Sequence, residues 1–189
     1  MDSSKIILSR IKDVTAPLVD IYQCDEIDIS ILRMLASDAR ASQRQVATAL
    51  GISAPTVSER MAKMERAGVI KNYSVQIDWT ALGYSQIVFL SVSAAGDYDI
   101  ADVMKQLWAL PEAEEVTLIS GDVDLLVKLR VRDHYHLREL LMDHIWQITG
   151  LKGTATEISI AEMPAKNFSA SLLEQLEAKV AKSRAAPGG

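Results

Sequence analysis

Four side chains on one short segment, Thr56, Ser58, Arg60 and Lys63, carry hydroxyls and cations of the kind that meet a polyanion and read base edges. Hydroxyls and guanidinium groups can hydrogen-bond to bases, while ammonium groups neutralise phosphates. Arg44 upstream and Lys71 downstream add two more cations, and Ser53 adds a third hydroxyl.

The elements around these residues explain how they would be presented. Val46 and Leu50, four apart, share one face of a short helix, and the small Ala47 lets a neighbour approach closely. Gly51 stands where a helix end often needs positive φ, and Ile52 plugs the turn. Ser53 suits an N-cap, and Pro55 falls in the first helical turn, where its missing N–H costs nothing. Val57, Met61 and Met64 make the buried stripe of this second helix, leaving Thr56, Ser58, Arg60 and Lys63 on other faces. Gly68 ends it, and Val69 to Tyr73 begin a strand-like wing. Ile27, Ile31 and Leu35, with Leu32 beside them, mark an earlier helix over residues 25–37. Each piece alone has an ordinary structural reading: Met61 and Met64 as core, Ser53 as a cap, Arg60 and Lys63 as a solvated face. In this order over residues 42–78 they read as a winged helix-turn-helix, which places one helix in the major groove of double-stranded DNA.

Charge supports a defined contact rather than bulk binding. The chain of 189 residues has net charge −5, yet residues 40–72 hold six cations against Glu59 and Glu65. Cys24 is the only cysteine, so no internal disulfide can form. No hydrophobic run approaches the roughly 20 residues of a membrane span. The opening MDSSKIILSRIKD lacks a signal-peptide core, and a cytoplasmic location is expected.

Beyond a connector at 79–84 the pattern changes. SQIVFLSVSA reads as a strand, Ile100, Val103, Met104, Leu107 and Trp108 as a helical stripe, and EEVTLIS as a second strand. Alternation from Val123 to Val131 marks a third strand, Leu137, Leu140, Leu141 and Ile145 a second helix, and TATEISIAE the last strand. The order β-α-β-β-α-β is ferredoxin-like, with both helices on one face of an antiparallel sheet. The other face needs a cover, and a second copy of the chain is the expected one. The fold class is therefore α+β. The expected divisions are an N-terminal extension at 1–23, a DNA-binding domain at 24–78, a ferredoxin-like domain at 85–164 and a C-terminal extension at 165–189. In the extensions, Ile6, Ile7, Leu8 and Ile11 form a short helix or strand broken at Pro17. Leu172, Leu173, Leu176 and Val180 mark a terminal helix before an Ala-Ala-Pro-Gly-Gly tail. His134, His136 and His144 lack the i, i+4 spacing of a metal pair. No nucleophile–base set, phosphate loop or cofactor motif points to an enzyme.

The chain resembles the Lrp/AsnC (feast/famine) family of transcription regulators. The residues that carry this are Asp25-Glu26-Ile27-Asp28 with Ile31-Leu32, Asp38-Ala39-Arg40, Leu50-Gly51-Ile52-Ser53, Thr56-Val57-Ser58-Glu59-Arg60, Gly68-Val69-Ile70, Leu82-Gly83 and Gly121-Asp122-Val123-Asp124. Pro55 and Glu59 depart from the common pattern, as does Thr149 to Gly153. The resemblance implies a homodimer, assembling into tetramers or octamers, that addresses a two-fold symmetric site. Thr56, Ser58 and Arg60 would meet base edges, and Arg44, Lys63 and Lys71 would meet phosphates. It also implies a small-molecule effector, an amino acid, sensed by the ferredoxin-like domain. Such a ligand needs an anion for its ammonium group and N–H donors for its carboxylate. Gly121, Asp122 and Asp124 can offer both, and Thr154 and Thr156 add hydroxyls. The plain alternative for this turn is an ordinary β-hairpin.

Overall fold

The computed structural model describes residues 11–15 and 20–185. Ile6, Ile7, Leu8, Pro17 and the tail after Ala185 lie outside the described residues, and residues 11–14 form one helical turn. Two compact units emerge. One joins the described residues of 20–76 to those of 164–185, and the other joins 11–15 to 77–163. No helix among the described residues is long and apolar enough to cross a membrane.

In the first unit, α1 (Glu26–Ser37) is closed at its start by a capping box. The Asp25 carboxylate accepts the Ile27 and Asp28 N–H groups at 2.9 Å each, and the Asp28 carboxylate reaches back to the Asp25 N–H. A second box opens α2 (Gln43–Leu50), formed by Ser42 and Gln45. Gly51 then turns the chain with φ +65°, which only glycine adopts without strain. Ser53 caps α3 (Ala54–Arg66), and Pro55 sits in its first turn. Ile31, Leu35, Val46, Ala47, Val57, Met61 and Met64 form the shared core.

The segment after α3 differs from expectation. Val69 and Ile70 bend back to donate their N–H groups to the Met64 carbonyl, and residues 71–78 join no ladder, so the wing does not form a strand in a single chain. A strand needs a ladder partner, and Tyr73, Val75 and Ile77 remain exposed along this stretch. The terminal helix, expected as an extension, belongs to the same unit. α6 (Phe168–Ala185) runs back along α1. Asn167 caps α6 through the Ala170 N–H and donates its amide to the Ala36 carbonyl at 2.6 Å. One turn earlier on α1, Arg33 pairs with Glu177. Leu173 and Val180 are half-buried, while Leu172 and Leu176 of the expected stripe stay exposed.

The second unit is a four-stranded antiparallel sheet in the order β2-β3-β1-β4. Its elements are β1 (Gln86–Ala94), α4 (Ile100–Trp108), β2 (Ala113–Leu118), β3 (Leu125–Val131), α5 (His134–Glu139) and β4 (Leu151–Ile158). The architecture is α+β and ferredoxin-like. α5 continues through a wider turn at Leu140–His144. Val88, Leu90, Val92, Leu125, Val127, Leu129 and Val131 face Val103, Met104, Leu107, Leu137, Leu140 and Ile145 across one core. Trp108, placed on the helical stripe by its spacing, is exposed instead. On the opposite sheet face Phe89 lies across from Lys128 and Ser91 across from Leu126, and Phe89 is 38% exposed.

Glu114 ties two strands together through Lys128, at 2.8 Å, and Arg130. Burial pushes the Glu114 carboxyl up, but the hydrogen bonds and charges of Lys128 and Arg130 outweigh it, so its pKa lies below the ordinary value. The stability it contributes is complete above the unfolded value of about 4.3 and is lost as pH falls through the lower native value. Glu114→Gln is therefore expected to flatten the acid limb of urea-unfolding free energy below about pH 4.3. An unchanged slope there would show that this pair is not linked to folding.

Candidate functional site

The outer surface of α3 is set by its inner one. Val57, Met61 and Met64 are buried against α1 and α2, so the opposite face carries Pro55, Glu59, Ala62 and Arg66. Ser58 flanks this face, half-buried, and Arg44 and Lys71 are exposed on neighbouring segments. None of Ser58, Glu59, Arg66 or Lys71 has a side-chain hydrogen-bond or ion-pair partner among the described residues.

The other expected contacts are engaged within the unit. Ser53 Oγ accepts the Thr56 N–H at 3.2 Å, and the two hydroxyl oxygens lie 2.7 Å apart, so both side chains serve the helix start. Lys63 Nζ sits 5.4 Å from the centroid of the Tyr22 ring. Arg60, expected at a base edge, is turned towards α1. Its Nη1 donates to Asp25 Oδ2 at 2.7 Å and to Asp28 Oδ1 at 2.8 Å. Tyr22 donates its hydroxyl to the other Asp28 oxygen at 3.4 Å, and Asp28 is only 3% exposed. The reason is positional. Arg60 follows Val57 by three residues and precedes Met61 and Met64, so it stands on the flank of the buried stripe, within reach of the α1 cap.

Protonation follows this geometry. Hydrogen bonds to Asp25 and Asp28 hold Arg60 more firmly protonated than usual. Burial pushes Asp25 up, but the Asp28 N–H and the Arg60 guanidinium bring it below the ordinary carboxylate value.

In the second unit the Gly121–Asp124 turn joins β2 to β3. Asp124 is bound to β1 twice: its N–H donates to Val92 O at 3.0 Å, and its Oδ2 accepts the Ala94 N–H at 2.8 Å. Thr154 lies across β1 from this point, opposite Val92, and its hydroxyl accepts the Trp146 indole N–H at 3.2 Å. Thr156 is opposite Leu90 and exposed. Asp122 has no hydrogen-bond or ion-pair partner among the described residues. Asp124 and Thr154 thus flank one end of β1 with their polar groups used internally, while Asp122 and Thr156 are open.

Glu59 and Arg66 stand on the outward face beside the residues singled out from the sequence. Projecting α3 at about 100° per residue from Val57, Met61 and Met64 would have placed both opposite the core.

A helix pair with a free polar recognition face, followed in the same chain by a ferredoxin-like domain, defines a DNA-binding transcriptional regulator. Residues 25–71 match the winged helix-turn-helix DNA-binding family, and residues 86–166 match the Lrp/AsnC ligand binding domain. The chain is 38% identical over 135 residues to the HTH-type transcriptional regulator FL11 of Pyrococcus horikoshii, covering 71% of this chain and 87% of that one. Among solved structures, E. coli AsnC superposes with TM-score 0.72 at 26% identity, over 77% of this chain and 99% of that one. A Neisseria meningitidis transcriptional regulator, solved as its L-Met complex, shares the fold with TM-score 0.71 at 19% identity, over 76% and 94%. The chain belongs to the Lrp/AsnC family of transcriptional regulators.

Proposed function

We propose that this regulator is a cytoplasmic, non-catalytic homodimer that binds a two-fold symmetric DNA site and responds to an amino acid. The carrying observation is the outward face of α3, whose exposed polar groups have no partner among the described residues. Ser58 and the outer residues Glu59 and Arg66 meet base edges, while Arg44 and Lys71 meet phosphates and set the register. Ser53 and Thr56 contribute by fixing the helix start. Two copies join through the uncovered sheet face around Phe89 and build higher assemblies from dimers. Dimerisation doubles a modest set of phosphate contacts and sets the half-site spacing.

Gly121, Asp122, Asp124, Thr154 and Thr156 form the effector region. Asp122 supplies the free carboxylate for an ammonium group, and Asp124 holds the turn in place. The methionine bound to the Neisseria regulator supports the ligand class. The effector biases one quaternary arrangement and so changes the spacing of the DNA-binding units.

Titration calorimetry with the twenty amino acids tests the sensing half. Binding heat is expected from at least one of them and is expected to fall at least about tenfold in affinity in Asp122→Ala, which removes the counter-charge. Absence of heat with all twenty would contradict an amino-acid effector and leave a regulator without one.

A further inference from the structure

Glu59 is the one carboxylate on the outer face of α3 between Pro55 and Ala62, one turn before and one turn after it. It is exposed and has no partner among the described residues. The two cations nearest in sequence are committed elsewhere: Arg60 to Asp25 and Asp28, and Lys63 to the Tyr22 ring. Glu59 therefore reaches any DNA groove as an unneutralised anion. Beside phosphates it repels, so it is compatible with tight binding only where it meets a hydrogen-bond donor. In the major groove the donors are the exocyclic amines of cytosine and adenine. Adenine presents N7, an acceptor, beside its amine and suits an amide side chain, whereas guanine presents two acceptors. Cytosine is the base that suits a carboxylate.

Resting on the reading of α3 as the helix that enters the groove, we propose that Glu59 selects one base pair of each half-site for this regulator. It accepts a hydrogen bond from the N4 amine of one cytosine in each half-site and rejects guanine there. Pro55 and Ala62 offer only apolar atoms on either side, so the carboxylate is the specific polar contact at the centre of the helix face.

The full chain and its Glu59→Gln and Glu59→Ala variants can each select from a random pool of double-stranded DNA, with thermal unfolding recorded in parallel. The wild type is expected to enrich cytosine at one position per half-site, and replacing that base should weaken retardation about tenfold or more. Glu59→Gln should move the preference to adenine at that position alone, and Glu59→Ala should flatten it, with unfolding midpoints unchanged. Defined half-sites with the same base preferences in all three proteins would overturn the assignment while leaving the regulator reading intact. A pool with no enriched sequence for the wild type would overturn both.

Discussion

Replacing Arg60 with alanine is expected to destabilise the helical unit by about 2–3 kcal/mol, an effect that lowers DNA binding evenly across sequences rather than relaxing specificity. Removing one partner of a buried pair generally costs about 3–5 kcal/mol, because the remaining charge is left uncompensated. Asp28 is almost fully buried, but Arg60 keeps 27% of its side-chain surface exposed, so solvent recovers part of the loss. Urea unfolding followed by circular dichroism measures the stability change. Adding Asp28→Asn to Arg60→Ala should recover part of the loss, since the charge then left without Arg60, on Asp25, is solvent-exposed rather than buried, and the non-additivity isolates the Arg60–Asp28 pair. A base-contact role predicts the opposite pattern: unchanged stability, with discrimination between operator and random DNA lost. Arg60→Lys should restore only part of the stability, because an ammonium is a more strongly hydrated point charge than a guanidinium.

Phe89→Glu carries the second large effect. Phe89 stands on the open sheet face beside Glu157 of β4 and Lys128 of β3, and among the described residues no element of the same sheet unit's helical layer covers that face. A buried carboxylate at the centre of a two-copy interface costs several kcal/mol unless it is paired. The sheet core faces the helices and is untouched by this change, so the chain should stay folded. Sedimentation is expected to give the mass of one chain, and operator affinity should fall by at least about a hundredfold as the second half-site ceases to be a linked contact. An unchanged dimer in Phe89→Glu would place the interface elsewhere.

Much of this molecule is legible in the sequence because periodicity reports which residues share a core. Val57, Met61 and Met64 announce one helix face, and the alternation leading to Val131 announces a strand, although its first residue, Val123, falls in the turn. Caps are legible for the same local reason: Asp25, Ser42 and Ser53 lie within three residues of the N–H groups they satisfy. What escaped depends on distant partners. Arg60 and Asp28 are separated by 32 positions, and nothing in local spacing says that a long cation will turn to a helix cap rather than to solvent. The helicity of α6 follows from its leucines, but its seat on α1 rests on Asn167, 131 positions from Ala36. The unformed wing has the same cause in reverse, since residues 69–78 have strand-like composition and no ladder to join within one chain.

Footprinting of the purified full chain on its selected DNA, with and without the amino acid that gives binding heat, separates an effector-responsive regulator from an architectural protein. A bounded protected region spanning two half-sites about one helical turn apart is expected, with an extent or affinity that shifts when the amino acid is added. Extended, weakly specific protection that ignores every amino acid would contradict it and would describe an architectural DNA-binding protein instead.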